Sequence, residues 1–220
     1  MPLLNTILDM IFPKYCVSCG GSGSDLCIKC LIDSPTAERE CAEWIFPLYD
    51  YRHPSIKKSV HLLKYQGRKG LARVFAEAMY GRMLEELSDL SVVENFKDTV
   101  LIPIPLSPAR RRERGFNQAE LICKELARID GELNFKLENK VLIKPKETTH
   151  QAHVHNRNER LKNIIGSFTI KNTAENIKKI KNRNIILVDD VITTGATLTE
   201  AKKILKHFGA RKVIAFTIAH

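Results

Sequence analysis

Residues 185–197 constrain the fold of this chain more than any other stretch. They form an apolar run, Ile-Ile-Leu-Val, followed by Asp189, Asp190 and a loop of small residues. An apolar run without alternation is typical of a strand buried on both faces, as in the middle of a parallel sheet. We therefore expect an α/β fold in which both carboxylates lie at the carboxyl edge of a central strand, where open α/β sheets bind ligands.

The loop after the two carboxylates has the composition of an anion site. It offers successive backbone N–H groups and hydroxyls, and a helix is predicted over residues 197–207. A helix start beside such a loop suits one phosphate monoester. Two carboxylates beside it suit the hydroxyls of a ribose 5-phosphate, whereas they would repel a triphosphate. A Walker-type loop lacks support, because no GxxxxGK[ST] motif is present. The alternative without a ligand is a buried strand that happens to end in an Asp pair. The candidate loop residues are Val191, Thr193, Thr194, Gly195, Ala196 and Thr197.

Two CxxC pairs near the amino end predict a metal site. Cys16 and Cys19 are followed after seven residues by Cys27 and Cys30. Four thiolates are the number that a closed tetrahedral structural zinc site takes. A redox pair is the competing interpretation, but it is normally single and begins a helix within a βαβ unit. We expect a small zinc-ribbon-like domain over residues 1–43 and a larger α/β domain over residues 44–220.

A cluster of arginines follows another predicted buried strand, at residues 99–105. It consists of Arg110, Arg111, Arg112 and Arg114, with Phe116 two residues further on. Like charges at this density are costly unless an anion is present, and guanidinium groups bind phosphate oxygens in bidentate fashion. The cluster therefore predicts pyrophosphate recognition, with a solvated basic loop as the alternative. A further basic turn occupies residues 64–68 and begins with Lys64.

The 220 residues carry a formal net charge of +10, which favours an anionic partner such as a phosphorylated metabolite or a nucleic acid. Residues 1–12 are predicted to form a short amphipathic helix, too short for a membrane span and without a cleavage site after it. We expect a cytoplasmic protein without a transmembrane segment.

The remaining elements follow from apolar periodicity. Helices are predicted at residues 54–64, 70–87 and 118–128, and strands at residues 44–51, 140–143, 166–170 and 213–218. Residues 172–183 are predicted to be a basic connector. The long polar stretch 144–165 is predicted to be a loop over the active site. Its His150, His153 and His155 are only a weak metal signal.

Five motifs together resemble the ComF family. Residues 185–197 match the phosphoribosyl pyrophosphate (PRPP) signature of type I phosphoribosyltransferases at every position. The others are the two CxxC pairs, Leu-Lys-Tyr-x-Gly at 63–67, Pro-Ile-Pro-Leu at 103–106 with Arg-Gly-Phe-Asn-Gln at 114–118, and Arg-x-x-Asn-x-x-Gly-x-Phe at 160–168. The resemblance implies a type I phosphoribosyltransferase-like parallel sheet flanked by helices.

The resemblance also implies roles for the candidate residues. Asp189 and Asp190 would be catalytic, taking the ribose hydroxyls of PRPP and stabilising developing positive charge, while residues 193–197 hold its 5-phosphate. The pyrophosphate would meet a basic group, and the flexible loop would close over it with Mg²⁺ as cofactor. The basic group consists of Lys64, Arg110, Arg112 and Arg114. The flexible-loop candidates are Arg157 and Arg160.

Two functions are implied and both stay open at this stage. One is a PRPP-dependent phosphoribosyltransferase with an unknown acceptor. The other is a competence factor of natural transformation that binds single-stranded DNA beside a helicase and keeps the fold as a scaffold or PRPP sensor. The tentative DNA contacts are Arg110, Arg111, Arg112, Arg114 and Phe116.

Overall fold

The structure is a computed structural model that describes residues 13–145, 164–171 and 173–220. Its helices are α1 (Ile28–Ile32), α2 (Pro54–Tyr65), α3 (Gly70–Glu94), α4 (Pro108–Arg114), α5 (Gln118–Asp130), α6 (Ala174–Ile180) and α7 (Ala196–His207). Its strands are β1 (Ile45–Tyr49), β2 (Thr99–Pro103), β3 (Phe135–Leu137), β4 (Leu142–Ile143), β5 (Thr169–Ile170), β6 (Asn184–Val191) and β7 (Lys212–Ala219).

Five strands form the predicted parallel sheet, in the order β1-β7-β6-β2-β3. β6 lies in the middle, with Val188 opposite Pro103 on one side and opposite Phe216 on the other. Because all five strands run in one direction, their carboxyl ends meet at one edge of the sheet. The α/β fold expected from residues 185–197 is confirmed.

Both faces of the sheet are covered, which explains the uninterrupted apolar run in β6. Side chains alternate between the faces of a strand. Ile186 and Val188 therefore pack with α2, α3 and α5 on one face, while Ile185 and Leu187 pack with α7 and the β4–β5 pair on the other. All four side chains are fully buried.

The arginine cluster forms a helix, α4, where a basic loop was predicted. Ser107 caps its start by accepting a hydrogen bond from the Arg110 N–H at 3.5 Å, and Pro108 occupies the first turn. Gly115 ends the helix with φ +75°, a backbone conformation that glycine adopts at little cost. These capping residues outweigh the mutual repulsion of the arginines.

Four other elements differ from the predictions. Residues 172–183 contain α6, whose cap Thr173 accepts a hydrogen bond from the Asn176 N–H at 3.2 Å. The short edge strand β3 was not predicted. β4 and β5 were predicted as strands, but they pair with each other in antiparallel fashion outside the main sheet. Two-residue strands are too short to show periodicity, so their partners are set by tertiary contacts.

Some predictions fall outside the described residues. These are the amphipathic helix over residues 1–12, and the part of the predicted active-site loop that carries the three histidines, Arg157 and Arg160. No helix in the described ranges is long and apolar enough to cross a membrane.

The cysteine-bearing segment shares its core with the main sheet. Leu26 and Leu31 are fully buried in the same cluster as Met79 of α3 and Phe216 of β7. Arg68 also lies 3.6 Å from Asp25 of this segment. The segment is therefore packed on the α/β fold, while a domain boundary near residue 43 stays a prediction.

A buried carboxylate joins α5 to β3. Asp130 is fully buried and accepts hydrogen bonds from the Tyr80 hydroxyl at 3.1 Å, the Asn134 backbone and side chain at 2.9 and 2.7 Å, and the Phe135 N–H at 3.3 Å. These bonds fix the turn that starts the edge strand. They replace the hydration that the carboxylate loses on burial.

We expect Asp130→Ala to lower the free energy of unfolding by about 3 kcal/mol, because it leaves several buried donors without an acceptor. Urea unfolding of the purified protein measures this. Asp89→Ala removes an exposed carboxylate from α3 and should change stability by less than about 0.5 kcal/mol. Equal effects of the two substitutions would contradict the structural role of Asp130.

Candidate functional site

Two adjacent carboxylates lie where β6 ends. Asp190 is 8% exposed, and Asp189 keeps part of its surface exposed in the cleft. The Asp189 carboxylate accepts a hydrogen bond from the Asp190 backbone N–H at 2.8 Å. The strand alternation directs the two side chains to different sides of the strand end, so they face different groups. The structure places both acids at the predicted edge of the sheet.

Asp190 forms an ion pair with Lys64, a residue 126 positions earlier in the chain. The Lys64 Nζ lies 2.8 Å from the Asp190 Oδ1, and the two side chains are only 16% and 11% exposed. Lys64 occupies the last turn of α2. Separating a pair this well buried costs more than separating a surface pair, because each charge would be left without a partner.

Asp189 has the most perturbed acid–base behaviour in the cleft. Burial raises its pKa, the adjacent charge of Asp190 raises it further, and the result is about 7. The hydrogen bond from the Asp190 N–H and the charges of Lys64 and Lys144 only partly oppose this rise. Asp189 therefore exchanges a proton near neutral pH, and an incoming cation would favour its charged form.

The loop between β6 and α7 has the geometry of a phosphate site. Gly195 adopts φ +73° and is the N-cap residue of α7, where it has no side chain to cap the helix start. The Thr194 hydroxyl accepts a hydrogen bond from the Ala196 N–H at 3.4 Å. The loop is anchored to the end of β7, because the Ile192 N–H donates a hydrogen bond to the Ala219 carbonyl at 3.0 Å. Backbone N–H groups at a helix start bind anions.

The arginines of α4 do not act as one group. Arg111 pairs with Glu120 at 3.1 Å, so its charge is compensated within the fold. Arg110 lies near Lys144, whose pKa it lowers. Arg112 is exposed and makes no ion pair within the described ranges. Arg114 turns toward Tyr65, with its Nη2 3.4 Å from the Tyr65 hydroxyl. Arg110 therefore lies near Lys144 of the cleft, and Arg114 lies beside Tyr65.

Asn117 and Gln118 hold the frame around these arginines. Asn117 caps α5 by accepting from the Ala119 N–H at 3.1 Å, and its amide donates to the Ile104 carbonyl at 2.9 Å. The Gln118 amide accepts from Arg114 Nη1 at 3.1 Å and donates to the Lys64 carbonyl at 3.4 Å. These contacts give the Arg-Gly-Phe-Asn-Gln motif a structural meaning, since they connect α2, α4 and the end of β2.

Lys144 is a cleft residue that sequence reasoning missed. Its Nζ lies 5.0 Å from the centroid of the Phe168 ring. Burial lowers its pKa and the charge of Arg110 lowers it further, while Asp189 raises it. In the sequence it stands directly after the strand β4, at the start of the polar stretch 144–165, and belongs to no motif. It adds a second cation, besides Lys64, whose charge acts on Asp189.

The four cysteines fit a tetrahedral metal site. All four Sγ atoms of Cys16, Cys19, Cys27 and Cys30 lie within 4.8 Å of one another. The Cys19 and Cys27 Sγ atoms are 3.9 Å apart, close to the edge of about 3.8 Å that a Zn–S distance of about 2.3 Å implies for a tetrahedron. Backbone N–H groups of Cys27 and Gly21 point at the sulfurs of Cys16 and Cys19, at 3.4 and 3.5 Å.

Comparison with known proteins agrees with this fold. The family model for the phosphoribosyl transferase domain matches residues 112–220. Competence protein F of Haemophilus influenzae is 28% identical over 91% of this chain and 83% of that protein. The DNA utilization protein YhgH of Escherichia coli is 27% identical over 90% of this chain and 80% of that protein.

The fold and the site thus define a phosphoribosyltransferase-type protein with a four-cysteine cluster. Competence protein ComFC of Bacillus subtilis is 34% identical over 82% of this chain and 70% of that protein. The chain belongs to the ComF family.

We expect the purified protein to hold one zinc ion per chain and Cys16→Ser to lose most of it, because a thiolate ligand is removed. Metal analysis after dialysis measures this. Cys41→Ser is a suitable control, since the Cys41 thiol donates to the Ile45 carbonyl at 3.1 Å and lies outside the cluster. Retention of zinc by Cys16→Ser would contradict the proposed ligand set.

Asp189 should make stability depend on pH. Its pKa of about 7 in the folded protein exceeds the value of about 4 for an unfolded Asp, so the folded state holds the proton more tightly between these limits. This group therefore lowers the free energy of unfolding as pH rises from about 4 to about 7. Asp189→Asn should lack this decline when urea unfolding is measured across the range. Parallel pH profiles of the two proteins would contradict the raised pKa.

Proposed function

We propose that this protein binds PRPP with Mg²⁺ and acts in ComF-type DNA uptake on single-stranded DNA. The observation that supports PRPP binding best is the position of Asp189 and Asp190 beside the start of α7, at the carboxyl edge of a central parallel strand. A fold used only as a scaffold has no need of two adjacent carboxylates at this position. The competence and DNA-utilization names of the relatives support the biological role.

The ligand groups of PRPP match the residues of the cleft. The 5-phosphate lies against residues 193–197, and Asp189 and Asp190 accept hydrogen bonds from the ribose hydroxyls. Lys64, Arg110 and Lys144 provide cations for the pyrophosphate. Carboxylate and phosphate oxygens are the ligands that Mg²⁺ prefers, and the ion would supply charge neutralisation of the pyrophosphate.

Phosphoribosyl transfer to an acceptor is the chemistry that this arrangement supports. The bond between the anomeric carbon and the pyrophosphate oxygen breaks, the pyrophosphate leaves with the bonding electrons, and the acceptor forms a new bond to that carbon. The carboxylates stabilise the positive charge that develops on the ribose ring, and preplaced charges supply most of the rate. The acceptor is unknown.

DNA binding without catalysis is the second candidate function. The net charge of +10 favours a polyanion. Two arginines of α4, Arg110 and Arg114, make no ion pair with a carboxylate among the described residues, so their charges are available to phosphates.

The first test is isothermal titration with PRPP and Mg²⁺. Wild-type protein should bind, and the double variant Asp189→Asn, Asp190→Asn should lose binding at least about 100-fold, because charge-assisted hydrogen bonds to the ribose are removed. Asp98→Asn is a matched control, since this carboxylate lies at the opposite edge of the sheet, paired with Arg183. Equal affinity of all three proteins would contradict the site.

The second test separates the two candidate functions. Affinity for single-stranded DNA should fall steeply as salt is added, because phosphate contacts release counterions. Pyrophosphate release from PRPP is then measured with and without DNA. Release above the background of the double variant supports transfer, while DNA binding without release supports the binding role. A flat salt response would contradict phosphate contacts.

A further inference from the structure

An aromatic ring lies exposed beside the carboxylate cleft. Tyr65 is the last residue of α2 and follows Lys64, which reaches the Asp190 carboxylate. The Tyr65 side chain nevertheless points outward, with 57% of the residue exposed. One helix end thus carries a buried cation aimed into the cleft and an aromatic ring at its rim.

Arg114 rests on this ring. Its guanidinium carbon lies 5.1 Å from the ring centroid, within the range of a cation–π contact. Its Nη2 lies 3.4 Å from the Tyr65 hydroxyl, and its Nη1 donates to the Gln118 amide at 3.1 Å. Arg114 forms no ion pair with a carboxylate in the described part of the chain, so the π face and neutral groups are its partners.

The ring is also supported within its own helix. The His61 ring, one turn earlier in α2, lies 4.9 Å from Tyr65 at an angle of 45°. An aromatic side chain that already contacts two neighbouring side chains loses little conformational freedom when a ligand stacks on it. A second cation–aromatic pair follows nearby in the chain, because the Lys69 Nζ lies 5.1 Å from the Phe116 ring centroid.

These contacts match the chemistry of a nucleobase. Bases stack on aromatic rings and on guanidinium planes, and they do so with little sequence preference because every base has a π face. A phosphate alone would not require an exposed ring, and an apolar peptide would not favour the uncompensated charge of Arg114.

We propose that Tyr65 and Arg114 form a stacking platform for one base of single-stranded DNA at the rim of the PRPP cleft. The inference rests on the DNA binding proposed above and deepens it by assigning a base contact. Because Tyr65 and Lys64 are adjacent, a strand on the platform and PRPP at the carboxylates contact the same helix end.

Fluorescence anisotropy of the full chain with two labelled strands tests the platform. One strand is an oligothymidylate of about a dozen nucleotides, which exceeds the platform, and the other has the same length with abasic sites throughout. Wild type should bind the strand with bases about tenfold more tightly. Tyr65→Leu should remove this advantage and leave abasic binding unchanged, and Tyr65→Phe should retain it.

Two further variants complete the test. Tyr15→Leu alters a tyrosine of matched exposure, 58%, in the cysteine segment and should behave as wild type. Arg114→Lys keeps the charge but loses the planar group, so it should weaken only the strand with bases. If Tyr65→Leu is destabilised and melts at a lower temperature than wild type, Arg114→Lys provides the test of the platform instead.

The outcomes are distinguishable. Equal wild-type affinity for both strands, or equal loss on both strands in Tyr65→Leu and Arg114→Lys, overturns the platform and leaves DNA binding standing. Failure of the wild type to bind either strand overturns the proposed DNA binding and the platform together. Loss confined to the strand with bases in both variants, with Tyr15→Leu unchanged, establishes the platform.

Discussion

The ion pair between Lys64 and Asp190 is the interaction on which the site depends. β6 is buried on both faces, so its two acids end in a poorly hydrated cleft where two negative charges repel. Lys64 compensates the charge of Asp190 at a distance of 2.8 Å. The pKa of the other carboxyl, Asp189, is raised to about 7 by burial and by the charge of Asp190. Because Lys64 comes from the end of α2, the position of that helix, and with it Tyr65, is fixed relative to the sheet.

The sequence predicted what is encoded locally. The run 185–197 predicted the central strand and its loop, because burial on both faces leaves an uninterrupted apolar pattern. The CxxC spacing predicted the cysteine cluster, because the four ligands are also close together in the sequence. The sequence could not predict that Lys64 pairs with Asp190, or that Lys144 lies near Asp189, because these contacts join distant segments. The pairing of β4 with β5 was missed for the same reason.

The α4 helix illustrates where composition misleads. Four nearby arginines predicted an anion-binding loop, but Ser107, Pro108 and Gly115 are helix boundary residues and determine the local structure. Once the segment is helical, neighbouring arginines point in different directions. Arg111 is compensated by Glu120, while Arg110 and Arg114, four residues apart, share one face. The positive charge available to a ligand is therefore smaller than the four arginines of the sequence suggest.

Ligand binding must contend with the Lys64–Asp190 pair. Leaving either charge buried without a partner would cost about 3–5 kcal/mol, so a neutral sugar could not displace the pair at little cost. PRPP would differ, because its pyrophosphate would offer Lys64 a new anionic partner while Mg²⁺ and the ribose hydroxyls would compensate Asp190. Lys64 and Asp190 would then each exchange one partner for another, and neither charge would be left unpaired. If the proposed function holds, the buried pair would favour a ligand that carries both anionic groups and a bound cation over simpler sugars and phosphates.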